Sequence, residues 1–153
     1  MWQNHYIKQY LWYLEKTYII DMISPFSTNP SKELTKAPIC YFKDIGLRNY
    51  AAGEFGNIND YGFVFQNFIY LQLSELAKRY DFSIHFWRTK DKAEIDFILQ
   101  KSRNIVPIEV KYKSIDTFEI TRAMRNFIIF LQEDSHFYKW EMNCICKPHY
   151  ILY

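Results

Sequence analysis

Ala93 to Lys111 reads AEIDFILQ-KSRN-IVPIEVK, two alternating segments about a polar turn. In the first, Glu94 and Asp96 alternate with Ile95, Phe97 and Leu99; in the second, Glu109 and Lys111 alternate with Ile108 and Val110. A period of two sends the apolar and charged sets to opposite faces of a sheet. Lys101-Ser102-Arg103-Asn104 suits a hairpin of two or four loop residues. Either length pairs residues whose numbers sum to 205, which sets Asp96 across from Glu109. Opposed like charges destabilise a sheet unless a cation lies between them. Lys111 is one such cation, and a divalent metal is the other. Two carboxylates and an amine at one spot are the groups that metal-assisted phosphodiester hydrolysis uses.

Asp96 followed by Glu109-Val110-Lys111 resembles the D-x(n)-E-x-K core of the PD-(D/E)xK nuclease superfamily. Four ordered blocks carry a closer likeness: PICYFKDIGLRNYAAGEFGNINDYG (38–62), FQNFIYLQL (65–73), FWRTKDKAEIDFIL (86–99) and PIEVK (107–111). Together they resemble the nuclease-like domain of unknown function that ends many prokaryotic AAA+ ATPases. The likeness runs from about Tyr6 to Phe130. It implies a restriction-endonuclease-like α/β core: helix, three-stranded antiparallel meander, helix, further strand. It implies Mg²⁺ or Mn²⁺ held by Asp96, Glu109 and the Val110 carbonyl, with Lys111 orienting water or stabilising charge on the phosphorane.

The resembled family has a Glu where this chain has Gln66. A neutral amide costs the site one negative charge and lowers Mg²⁺ affinity, since Mg²⁺ favours anionic oxygen. Glu75 is half a turn from Gln66 and about 13 Å along the helix, so it is no substitute. Glu94, two residues from Asp96, is the only replacement within the core motif; otherwise it is a salt-bridged strand residue. Arg88, Lys90 and Lys92 flank the turn leading into the central strand. They either hold phosphates of DNA or RNA or form an ordinary solvated tip.

The remaining chain fits around this core. Ile7, Tyr10, Leu11, Leu14 and Tyr18 make a helical stripe over Tyr6–Thr17. Strands at Tyr18–Ile23 and Ile39–Phe42 follow, so residues 1–45 resemble the tail of a winged helix or form a small helix-hairpin appendage. Residues 46–153 then make the nuclease-like domain. Asp44 caps a helix starting near Ile45. The longest helical signal is Tyr61–Tyr80, with Phe65, Phe68, Ile69, Leu73, Leu76 and Ala77 inward. Asp81–Arg88 reads as a strand, Thr117–Gln132 as a helix, and Phe137–Trp140 and Asn143–Leu152 as closing strands.

Composition narrows the class. With 49% hydrophobic and 20% aromatic residues, disorder is excluded, and 153 residues suit one domain plus a small appendage. A net charge of +2 neither demands nor excludes nucleic acid. Three cysteines make no disulfide scaffold, which suits a reducing cytoplasmic setting. Cys144, Cys146 and His149 lack a fourth ligand and zinc spacing. No apolar run approaches a membrane span. No G-x-x-x-x-G-K-[ST] occurs, so an ATPase motor is an expected partner rather than part of this chain. Two functions stand: a metal-dependent nuclease, or a catalytically degenerate nuclease fold that binds nucleic acid or a partner protein.

Overall fold

The computed structural model describes residues 5–27, 37–55, 61–112 and 120–133. Helix α1 (His5–Lys16) leads into strands β1 (Ile20–Ile23) and β2 (Ile39–Phe42), then α2 (Ile45–Ala51) and α3 (Tyr61–Tyr80). Strands β3 (Ser83–Arg88), β4 (Glu94–Lys101) and β5 (Asn104–Ile108) follow, and then α4 (Arg122–Glu133). The molecule is α/β, with a two-stranded antiparallel sheet, β1-β2, and a three-stranded antiparallel sheet, β3-β4-β5. The expected strands at Phe137–Trp140 and Asn143–Leu152 lie outside the described residues.

The β4–β5 ladder runs from Phe97↔Ile108 to Lys101↔Asn104, the register expected from the polar turn. Ser102 and Arg103 form a two-residue loop, with Ser102 in the left-handed region at φ 54°. The ladder stops one step short of Asp96 and Glu109. Pro107 is still paired, with Ile98, but the Val110 N–H is taken by the Asp96 carboxylate instead of the strand. The second strand is therefore shorter than its alternation suggests.

Between β3 and β4 the register shifts. His85 pairs with Ile98 and Trp87 with Ile95, so Asp96 and Phe97 together stand across from Phe86. That is a β-bulge, one extra residue on β4. It corrects the expected alternation. Phe97 packs with Phe86, Ile108, Ile69, Tyr70 and Leu73 beneath α3. Ile95 goes to the other face, with Ile98, Trp87, Ile105 and α4's Met124 and Phe127. Both faces of the sheet are thus buried.

Helix α3 presents a different arc from the one its stripe suggests. Asn67, Ile69, Tyr70 and Leu73 are buried, whereas Phe68 and Leu76 are 40% and 42% exposed. The helix packs on β2 as well as on the sheet, which moves its buried face round. Asn67, fully buried, donates Nδ2 to the Phe42 carbonyl at 2.8 Å and accepts the Phe42 N–H on Oδ1 at 2.9 Å. Lys43 N–H bonds back to Ile19, so by strand alternation the Phe42 groups face away from β1. One side-chain amide thereby completes an open strand edge.

The hairpin joins the same packing. Ile23 and Tyr41 belong to the core under α3, and Phe26 to the core under α4. Phe26 N–H donates to the Phe86 carbonyl, and the Phe86 N–H to Ser24, so residues 24–26 cover the β3 edge. Asp44 caps α2, accepting the Leu47 N–H at 2.6 Å. A Cβ at Gly46 would come within 3.1 Å of the capping oxygen, which accounts for glycine there. Helix α1 buries no residue.

Candidate functional site

A cleft of about 560 Å³ opens beside the ends of β4 and β5 and the start of α4. Lys92, Glu94, Asp96, Glu109, Lys111 and Thr121 are among the residues that line it. The bulge places Asp96, and the interruption of β5 places Glu109 and Lys111.

Asp96 accepts twice. Its Oδ1 takes the Gln66 Nε2–H at 3.0 Å, and its Oδ2 takes the Val110 N–H at 2.7 Å. Burial, reinforced by the charges of Glu109 and Glu94, outweighs the Val110 bond and Lys111 and pushes its carboxyl up to about 6. Gln66 Nε2 also reaches the Tyr41 hydroxyl at 3.0 Å. The amide's nitrogen end faces Asp96 because a carboxylate only accepts. Tyr41 is itself buried, and burial followed by the charge of Asp96 pushes its phenol well above the usual range.

Glu109 is 5% exposed. Its Oε1 pairs with Lys111 Nζ at 2.5 Å, and its Oε2 accepts from the Thr121 hydroxyl at 2.5 Å. Thr121 Oγ1 in turn accepts the Met124 N–H at 3.1 Å, so the residue that caps α4 also holds the acid. Glu94 is gripped by Arg88, Nε to Oε2 at 3.0 Å and Nη2 to Oε1 at 2.6 Å. The Glu94 bonds raise the Arg88 guanidinium further above its ordinary value.

Asp96, Glu109, Lys111 and Glu94 therefore share one cleft, and Gln66 meets Asp96 from α3. Val110 contributes its N–H rather than a visible carbonyl contact. Lys92 lines the cleft with Arg122, both exposed, and Lys90 sits exposed in the adjoining turn. Tyr41 and Thr121 escaped the sequence reading. Thr121 carried a signal, a Thr just ahead of a helix, but the helix was expected to start at Thr117. Tyr41 carried none beyond lying in a resembled block.

The acids of the cleft are engaged within the chain. All six oxygens of Glu94, Asp96 and Glu109 accept from this chain's own donors. Gln66 turns an N–H, not its carbonyl, toward Asp96. Among the described residues no group of three or more His, Cys, Asp or Glu is placed to hold a metal ion. A bound cation would share Asp96 with the Gln66 amide and Glu109 with Lys111.

Residues 61–144, more than half of the chain, match the family described as Domain of unknown function (DUF4143). Residues 2–57 match another, described as Domain of unknown function (DUF8612). Gln66, Asp96, Glu109 and Lys111 all fall in the first match, and Tyr41 in the second. Uncharacterized proteins of Mycobacterium tuberculosis and Mycobacterium bovis are each 27% identical over 134 residues. The chain spans 29% of the length of these curated relatives, with 82% of its own length aligned. No solved structure matches the chain significantly. No helix among the described residues is long and apolar enough to cross a membrane.

Proposed function

We propose, for a chain that belongs to the family described as Domain of unknown function (DUF4143), a binding role on a nuclease-like fold rather than catalysis of phosphodiester cleavage. The observation that carries this reading is the closure of the acids. Each carboxylate oxygen of Glu94, Asp96 and Glu109 is answered from within the chain. The cations Lys92 and Arg122 beside them have no ion pair among the described residues, and neither does Lys90. Glu94 and Glu109 are ion-paired, and Lys92 and Arg122 line the cleft beside Asp91 and Asp96, so its rim offers cations to phosphate oxygens. The expected ligand is DNA or RNA, bound through its backbone with an affinity that falls steeply as salt rises. ATP hydrolysis is left to a separate motor, since no P-loop occurs in the sequence.

A second reading is metal-dependent cleavage of DNA or RNA. It is favoured by the burial of Asp96, which pushes its carboxyl up to about 6 beside an open cleft. Asp96, Glu109 and the Val110 carbonyl would then hold the cation, and Lys111 would steady the attacked phosphate.

One experiment separates the two. Oligonucleotide binding is followed by fluorescence anisotropy without metal, and Mn²⁺ is then titrated by calorimetry into the wild type and Gln66→Glu. The expected result is salt-sensitive binding, no Mn²⁺ heat in the wild type, and Mn²⁺ binding restored by Gln66→Glu. Cleavage by the wild type in Mn²⁺ that Asp96→Asn abolishes would establish the second reading in its place. Absence of any oligonucleotide binding would overturn the first.

A further inference from the structure

We propose that the Gln66 side chain couples the docking of the β1–β2 hairpin to the geometry of the cleft, with Tyr41 as the positioning residue that aims it. The inference goes beyond the binding role above and holds whichever ligand the cleft takes. Three neighbours on one arc of α3 grip the hairpin. Gln66 Nε2 donates to the Tyr41 hydroxyl at 3.0 Å, Asn67 pairs with the Phe42 backbone, and the Tyr70 hydroxyl donates to Asp21 at 3.0 Å. Gln66 carries its tie onward. The same nitrogen donates to Asp96 at 3.0 Å, and Asp96 accepts the Val110 N–H at 2.7 Å. The line of hydrogen bonds thus runs from β2 through α3 and β4 to the residue between Glu109 and Lys111, both of which line the cleft. It also joins segments that match two different family models, 2–57 and 61–144.

The amide nitrogen has two hydrogens, and both are engaged. Tyr41 is fully buried and its ring stacks on Tyr70 at 4.4 Å, so its oxygen is a fixed acceptor. Holding one hydrogen there aims the other at Asp96. Without that acceptor the glutamine would regain rotamers, and Asp96 would lose a donor held in place. The β4–β5 ladder ends at Phe97↔Ile108, so the Asp96 bond takes over from it in holding the Val110 backbone. A shift of the hairpin therefore reaches Glu109 and Lys111 through two side chains.

The test is amide hydrogen exchange followed by NMR on the full chain. Tyr41→Phe keeps the stacked ring and removes the acceptor. It should speed exchange of the Val110 N–H about fivefold and leave the β3–β4 amides as in the wild type. Tyr70→Phe breaks a tie on the same arc that does not continue to Asp96, and should leave Val110 unchanged. Gln66→Met should speed Val110 at least as much as Tyr41→Phe does. Adding Tyr41→Phe to it should change nothing further, because the link is already cut. Three results would each overturn the coupling: unchanged Val110 exchange in Tyr41→Phe or Gln66→Met, equal acceleration in Tyr41→Phe and Tyr70→Phe, or additive effects in the double variant.

Discussion

Helices α1 and α3 carry apolar and aromatic residues at the same helical spacing, yet α1 buries none of its side chains and α3 buries four. In α1, Tyr10 is 70% exposed and Trp12 half exposed, while Ile69 and Leu73 of α3 are sealed. The difference lies in what each helix meets. Helix α3 spans two strand systems: its tyrosine and isoleucine fill the sheet face and its asparagine completes β2. Among the described elements, helix α1 makes its main contact with β1. A stripe of apolar residues therefore specifies a helix, but only a second surface turns that stripe into stability.

The largest test of this contrast is a pair of truncations. Phe97→Ala opens a fully buried site beneath α3 and should cost about 3–5 kcal/mol of unfolding free energy. Trp12→Ala on α1 should change it by less than about 0.5 kcal/mol. Urea unfolding of both variants measures the gap, and comparable losses would mean that α1 is packed in solution.

Asn67→Ala tests the join between α3 and β2. It strands the Phe42 N–H and C=O together and should cost roughly 2–4 kcal/mol, far more than its volume warrants. Asn67→Asp keeps the acceptor but sets a buried carboxylate against the Phe42 carbonyl, and at neutral pH should cost at least as much as the alanine. Equal stability for the alanine variant and the wild type would show that water serves the strand edge as well as the amide does.

The smallest of the three concerns the cleft. Asp96 rises from 3.8 to about 6 on folding, so between those pH values the folded chain holds a proton that the unfolded chain has released. Stability is fullest below that window and declines as pH climbs through it. Asp96→Asn retains an acceptor for the Val110 N–H and removes the charge. It should stabilise the protein at neutral pH by about 1–3 kcal/mol and flatten the acid limb of its stability profile. Melting temperatures measured from about pH 4 to 8 would show it. Unchanged pH dependence in the variant would place the titration elsewhere.

These residues also show what the sequence could disclose. The alternation around Lys101–Asn104 was enough to set the β4–β5 register, because hairpin length and strand period leave few solutions. Asp44 announced its cap through residue type and position. The ends of β2 and α3 were equally plain. The bulge at Asp96 was hidden, since an inserted residue has no composition of its own; Ile95, Phe97 and Ile98 look alike whichever face they take. Asn67 was hidden for a related reason, as nothing local tells a polar residue that it will face a distant strand edge. In the cleft, proximity of Asp96, Glu109 and Lys111 was legible, whereas their hydrogen-bond partners were not. Thr121 reaches Glu109 only after α4 folds back on the sheet.

The surplus residue in β4 has a consequence for how this gene can change. Substitutions there alter one side chain at a time, but losing a single codon at the bulge would leave an unbroken ladder with β3, in which Phe86 meets one residue instead of two. Ile95 would stay across from Trp87 and Glu94 across from Arg88, but Asp96 and Phe97 could no longer share the rung at Phe86. The extra residue thus lets one rung supply both a core ring and a cleft acid, and a shortened allele would keep one or the other.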